Sequence, residues 1–274
     1  LFNPARAGDA YLNFNFGPQA TISRARREVV DERKGHKMSE TKAVDYDLAS
    51  LRGKLNFVND VLETKKAQLS EQYKKLEIFC NELYVDLNTN GEIKTAYLSL
   101  ITDADSYEYI HSVKAAVYAF EIGKRCGFSE TTLKQLLLGA LVHDLGNVFV
   151  DKRILSKTGP LNTDEWQQVK EHPGRGAGIL RTLGAPVEVC EVVGQHHERM
   201  DGAGYPEKLK GPEINLNARI VSLVDVFVAL TSERPGAIPL DSLSAIGKMK
   251  NMKGKFDAEL LRVFEELLPL IEPL

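Results

Sequence analysis

An all-α fold is predicted for this chain by three observations. Residues 48–83 repeat apolar side chains at alternating three- and four-residue steps. Beyond the turn-forming stretch 86–91, apolar runs recur at helical spacing, separated by glycines and prolines. Little of that later region alternates as a strand would.

Composition narrows the class. At 274 residues the chain is long enough for one large or two medium cores. Its 35 basic and 38 acidic residues leave a net charge of −3, which argues against a general polyanion-binding surface and against polymeric nucleic acid as a partner. Cys80, Cys126 and Cys190 are far apart with no CxxC pairing. They therefore read as small buried apolar residues in a reducing compartment, the cytoplasm, rather than as a disulfide framework or zinc ribbon. No apolar run approaches the ~18 residues of a membrane span, so no membrane segment is expected within the chain. It starts at Leu1, which leaves an upstream segment open.

Taken in order, residues 1–45 read as a partial input region. Leu12-Asn13-Phe14-Asn15-Phe16 alternates as a strand needing partners elsewhere, and the charged stretch 23–42 holds His36 as plain solvated surface. Residues 46–86 read as one long connecting helix. Leu48, Leu51, Leu55, Val58, Leu62, Leu69, Leu76, Phe79 and Leu83 form its seam, weakened by Lys65 and Gln72. A coiled coil joining two copies is favoured over a helix laid along its own domain. Residues 87–274 form the main domain. One helical face is Val113, Ala116, Val117 and Phe120, closed by Gly127; the next is Leu133, Leu136, Leu137, Ala140 and Leu141. Asn162 with Glu165 resembles a capping box, and Pro173 and Pro186 suit first-turn positions. Residues 216–230 are apolar on nearly all sides and predict a central buried helix.

The chemistry centres on His143-Asp144, an imidazole beside a carboxylate at the end of an apolar helix. Of the six histidines, His111, His143, His172, His196 and His197 lie between residues 111 and 197, each beside an apolar stretch. Adjacent His196 and His197 continue the stripe Val189, Val192 and Val193, which carries both rings toward the core. Asp225 falls inside the most apolar helix, where an ionised carboxylate needs a cation, by salt bridge or by metal. Taken singly, His111 or His172 reads as a structural histidine. Together, five imidazoles and two carboxylates suit Fe, Mn or Zn with open positions, rather than Ca or Mg.

Across about residues 95–265 the chain resembles the HD-GYP branch of the HD-domain metallohydrolases. The matching pieces are His111-Ser112, His143-Asp144, Ile154-Leu155 with Lys157 and Gly159, His172-Pro173 with Gly176, and QHHERMDGAGYP at 195–206. Ala218-Arg219-Ile220 leading to Asp225, and Ala229-Leu230-Thr231-Ser232 leading to Arg234-Pro235, complete the match. The resemblance implies an all-α HD bundle around a dinuclear metal centre. It also implies hydrolysis of the bacterial messenger cyclic di-GMP to pGpG and/or GMP through a metal-bridging hydroxide. By position, His111, His143 and Asp225 resemble the ligands of one metal and His172, His196 and His197 those of the second, with Asp144 bridging. Asp144 and Asn147 are the expected catalytic positions; Asn147, Lys157 and Arg234 are the expected substrate contacts. Gly202, Gly204, Tyr205 and Pro206 form a tight exposed loop, a docking point for a protein partner. Two metal ions are expected, Fe first, Mn next, with Zn and Ni less favoured.

The chain departs from the family pattern in three ways. Asn147 stands where the family usually has Lys. Tyr107 stands where members with three metals carry Glu, and neighbouring Glu108 has a different helical bearing. Gly236 and Ala237 replace aromatic and basic residues after Arg234-Pro235. The expected function is a cyclic di-GMP phosphodiesterase weakened by Asn147. The alternative is a catalytically weak or inactive module that binds cyclic dinucleotides or docks proteins.

Overall fold

The computed structural model describes residues 69–89, 98, 107–157, 159–233 and 238–272. The strand expected at 12–16, His36, the first half of the seam and Arg234 to Ala237 lie outside the described residues, as do the side chains of Tyr107 and Glu108. Among the described residues there are ten α-helices and two short 3-10 turns. They are α1 (Leu69–Thr89), α2 (Tyr107–Arg125), α3 (Glu130–Leu141), α4 (Lys152–Leu155), α5 (Thr163–Lys170), α6 (His172–Thr182), α7 (Val187–Gln195), α8 (Leu216–Thr231), α9 (Ser242–Asn251) and α10 (Ala258–Ile271). The described part is all-helical, as expected.

Local chemistry sets the helix ends. Gly127 follows α2 at φ +76°, a backbone conformation that L side chains resist. Ser129 caps α3 by accepting from the Thr132 N–H. Asn162 and Glu165 form the expected capping box at the start of α5. Pro173 sits in the first turn of α6, while Pro186 stands one residue before α7.

Helix α8 is the centre of the bundle. Thirteen of its side chains are buried, from Asn217 to Leu230, and it packs on α2, α7, α9 and α3. Its one cation, Arg219, meets Asp257 at 3.1 Å and the Ile214 carbonyl at 2.9 Å outside the core. Phe227, Phe264 and Tyr118 interlock edge to face, which ties α8, α10 and α2 together. Helix α1 lies against α3. Leu76, Phe79, Leu83 and Leu87 are buried in the main core, so the described half of the seam packs within its own chain. The helix also runs to Thr89, past the turn-forming Asp86. Cys80 and Cys190 are buried, but Cys126 is exposed just after α2, contrary to the sequence expectation. It follows the last helical residue, so the core-facing stripe of α2 no longer orients it.

Candidate metal centre

Four helix ends and one helix middle deliver the predicted ligands to one place. His111 lies in the early turns of α2 and Asp225 midway along α8, with His111 Nε2 3.0 Å from Asp225 Oδ1. His143 and Asp144 follow the last residue of α3, His172 opens α6, and His196 and His197 follow α7. Asp144 Oδ1 lies 3.2 Å from His172 Nε2 and 3.8 Å from His196 Nε2; its Oδ2 lies 3.6 Å from His143 Nε2. His143 Nε2 is 4.0 Å from Asp225 Oδ1, and His197 Nδ1 is 3.9 Å from Asp225 Oδ2. Two overlapping donor groups result: His111, His143 and Asp144, and Asp144 with His172, His196 and His197. Asp144 belongs to both, as a bridging carboxylate must.

Three rings are held by one repeated device. His143 Nδ1 meets the Ala140 carbonyl at 2.8 Å, His172 Nδ1 the Val169 carbonyl at 2.7 Å, and His196 Nδ1 the Val193 carbonyl at 2.8 Å. Each carbonyl belongs to the last turn of a helix, where it has no partner along the helix itself. The Nδ1–H donates to that oxygen, so Nε2 carries the lone pair and points at Asp144. The carboxyl-terminal ends of α3 and α7 also place partial negative charge beside the site, which favours a cation there.

Electrostatics agree. Burial, reinforced by His143 and His172, pushes His196 down to about 3, and burial with His196 pushes His197 well below the usual range. Both rings are therefore neutral and ready to bind a metal at neutral pH. Burial opposes ionisation of Asp144 and Asp225, yet the surrounding imidazoles hold both carboxyls below the usual carboxylate range. His143 Nε2 is buried without a hydrogen-bond partner. An orphaned, correctly tautomerised nitrogen beside two carboxylates is what a divalent metal would satisfy, and this donor set fits one.

The surroundings hold two residues that sequence reasoning missed. Gly146, in the 3-10 turn Leu145–Phe149, sits so close to α6 that an added Cβ would lie 1.9 Å from the His172 carbonyl oxygen. Only glycine lets that turn carry Asp144 up to His172. Glu198 is 1 % exposed and accepts backbone N–H bonds from Glu207 (2.7 Å), Lys208 (3.0 Å) and Leu209 (3.1 Å). It thereby fixes the loop after Gly204, which itself lies so near Glu198 Cα that a side chain would clash at 2.4 Å. The loop presents Tyr205 stacked on His197, with centroids 4.7 Å apart and planes at 28°. Glu198 stands inside the quoted string 195–206, directly after the histidine pair, whereas Gly146 lies two places beyond the quoted His143-Asp144 and carried no signal of its own.

Two of the expected substrate contacts, Lys157 and Asn147, lie among the described residues. Lys157 Nζ pairs with Glu165 at 2.6 Å and supports the α5 cap. Asn147 lies one 3-10 turn beyond Asp144, to whose carbonyl its N–H donates at 2.9 Å; its side-chain oxygen is buried without a partner. Gly202 takes φ +78°, as a tight loop requires.

Fold and site together define a helical domain built around a divalent-metal centre. A family model described as HD domain matches residues 57–260. The chain is 34% identical over 181 residues to 3'3'-cGAMP-specific phosphodiesterase 3 of Vibrio cholerae, covering 65% of this chain and 39% of that protein. It is 35% identical over 175 residues to a cyclic di-GMP phosphodiesterase of Pseudomonas aeruginosa, covering 62% and 42%. Over 223 residues it is 29% identical to a cyclic di-GMP phosphodiesterase of Thermotoga maritima, covering 80% and 56%. A solved HDG"Y"P protein, Bd1817 from Bdellovibrio bacteriovorus, shares the fold at a TM-score of 0.68 and 19% identity, over 83% of this chain and 74% of that one. The chain belongs to the HD domain family, in its HD-GYP branch. It spans about two-fifths of the length of the first two curated relatives named here. No helix among the described residues is long and apolar enough to cross a membrane.

Proposed function

We propose that this chain is a metal-dependent phosphodiesterase for a cyclic dinucleotide, cyclic di-GMP, with pGpG and/or GMP as product. The observation that carries the reading is the shared position of Asp144 between two imidazole groups, with three of the rings locked in the metal-binding tautomer. Relatives named for cyclic di-GMP and for 3'3'-cGAMP support the substrate class. Two metal ions held there would acidify water and offset charge on the phosphoryl oxygens. The chain's own parts do the rest. Asp144 and Asp225 hold negative charge in a buried site, the helix-end carbonyls keep the rings aimed, and Tyr205 covers one face of His197. Asn147 offers a neutral hydrogen bond to the phosphate where a lysine would offer a charged one. Metal-replete protein incubated with cyclic di-GMP and, separately, 3'3'-cGAMP should release linear product, cyclic di-GMP faster. Tight binding without turnover favours the binding-module reading, to which the neutral Asn147 in place of the family lysine lends weight. Neither binding nor turnover sinks both.

The ions are proposed to be iron, with manganese the alternative. Metal analysis of anaerobically purified protein should return close to two ions per chain. A reproducible value near three would show that Tyr107 does not close the third site.

Substituting Asn147→Lys should raise kcat/KM for cyclic di-GMP about ten-fold, since a charged donor is worth about 1–2 kcal/mol more than a neutral one. Metal content should stay unchanged. No gain with both metals bound would show that Asn147 does not limit the reaction.

A homodimer through residues 48–83 and a protein partner at Gly204-Tyr205-Pro206 complete the proposal. Ile78, within the seam region, is 59 % exposed, and Val85, just beyond it on the same helix, is 53 % exposed, so both are available on the outer face of α1. Sedimentation should show a dimer that Ile78→Asp with Val85→Asp converts to monomer. A wild-type monomer at high concentration would leave α1 as an intramolecular helix only.

A further inference from the structure

A pocket of about 490 Å³ is lined in part by Tyr205, the ring that stacks on His197, and none of the metal ligands lines it. Its walls come from α5 (Gln167 and Lys170), from Glu171 between α5 and α6, from the start of α6 (Gly174 and Arg175) and from the loop (Tyr205, Pro206 and Lys208). We propose that this pocket binds a 5'-phosphorylated nucleoside, separately from the metals and sharing the Tyr205 wall with them. The choice of nucleoside rests on the phosphodiesterase reading above; the anion-binding chemistry stands on the pocket itself.

Charge points to an anion. Arg175 is neutralised by Glu171 and lies over the Phe149 ring, 5.7 Å from its centroid. Lys170 and Lys208 have no acidic partner among the described residues, which leaves two cations for a ligand. Lys208 also sits at φ +59°, the one residue other than glycine recorded with positive φ. A β-carbon is disfavoured there, and glycine would adopt the turn more cheaply. Glu198 holds the position through the Lys208 N–H, so the loop keeps a strained lysine facing this pocket.

Size and lining point to a nucleotide. The volume lies in the range of small-molecule sites and far exceeds inorganic phosphate. Tyr205 and Pro206 supply apolar ground for a base, and Gln167 can both donate to and accept from a base edge. Beside Gly174 the space is open, with nothing within 4 Å of where a Cβ would stand. A 5'-phosphate on guanosine is common to the linear dinucleotide and to the mononucleotide.

The chain contains a single tryptophan, Trp166, whose ring meets Tyr205 edge-on at 5.9 Å. Its fluorescence therefore reports on the pocket wall. Metal-loaded full-length chain should be titrated with GMP, pGpG, guanosine and inorganic phosphate. GMP and pGpG should give saturable changes, the tighter of the two naming the source, and guanosine should bind at least ten-fold more weakly. Lys170→Ala with Lys208→Ala should weaken binding at least ten-fold, Lys208→Arg should retain it, and Asp144→Asn should leave it within two-fold. No saturable change with either phosphate ester overturns the site. So does binding lost in Asp144→Asn and kept in the double lysine variant, since the nucleotide would then sit at the metals. Binding intact in a chain that hydrolyses no cyclic dinucleotide would count against the phosphodiesterase reading alone.

Discussion

Asp144→Ala should empty both metal positions at once. Asp144 is the one residue that belongs to both donor groups, and its two oxygens face His172 and His196 on one side and His143 on the other. Without it, the imidazoles keep a single carboxylate, Asp225, which lies 3.0 Å from His111 and 3.9 Å from His197. Metal content should fall from two ions to well under one, and kcat/KM should drop on the order of 10³-fold or more, about 4 kcal/mol of barrier. Helical content should persist, because Asp144 follows α3 and takes no part in the packing of α2, α3 and α8. A variant retaining two metals and ordinary turnover would remove Asp144 from the bridging role. The milder Asp144→Asn keeps the shape and one acceptor oxygen, so loss of metals there too would show that charge, rather than volume, holds them.

Glu198→Ala carries the second large effect. Three backbone N–H groups, of Glu207, Lys208 and Leu209, would lose their only recorded acceptor. The loop is partly exposed, so water can replace some of those bonds; a loss of about 2 kcal/mol in stability is expected. In a domain of this size that amounts to a melting temperature lower by roughly 4–8 °C. Tyr205 would no longer be held on His197, and misplacement near 1 Å beside reacting groups lowers turnover by about 10²-fold. Metal content should stay at the wild-type level, since Glu198 binds none of the ligating rings. This separates the variant from Asp144→Ala. Unchanged melting and turnover in Glu198→Ala would show that the loop holds its place by other contacts, such as the Tyr205 N–H to His197 carbonyl bond at 3.2 Å.

Much of this architecture was legible from residue spacing. The three- and four-residue periods of α2 and α3, the capping box at Asn162 and the all-round apolar character of α8 each follow from local rules. The ligands were legible because each stands beside an apolar run whose direction into the core is fixed by that period. What escaped were features decided by approach between distant segments. The five-residue 3-10 turn after His143-Asp144 is too short to show a period. The need for glycine at 146 comes from His172, 26 places on, and no local pattern encodes it. Glu198 reads as an ordinary charged residue until three N–H groups are found around it. The seam gave the right helix for residues 69–83, but periodicity does not say whether an apolar face meets a second copy or the same chain. The described half meets the same chain.

The clamping of His143, His172 and His196 by their own helix-end carbonyls bears on biosynthesis. Each clamp spans three residues and can form as soon as its helix leaves the ribosome. The complete donor set cannot, because His111 and Asp225 are 114 residues apart and Asp225 arrives last. It arrives on α8, the helix around which the core closes. Ribosome-bound chain that has not yet emerged through residue 225 would present aimed imidazoles with too few carboxylates to hold two ions. The complete donor set therefore exists only once α8 has joined the bundle.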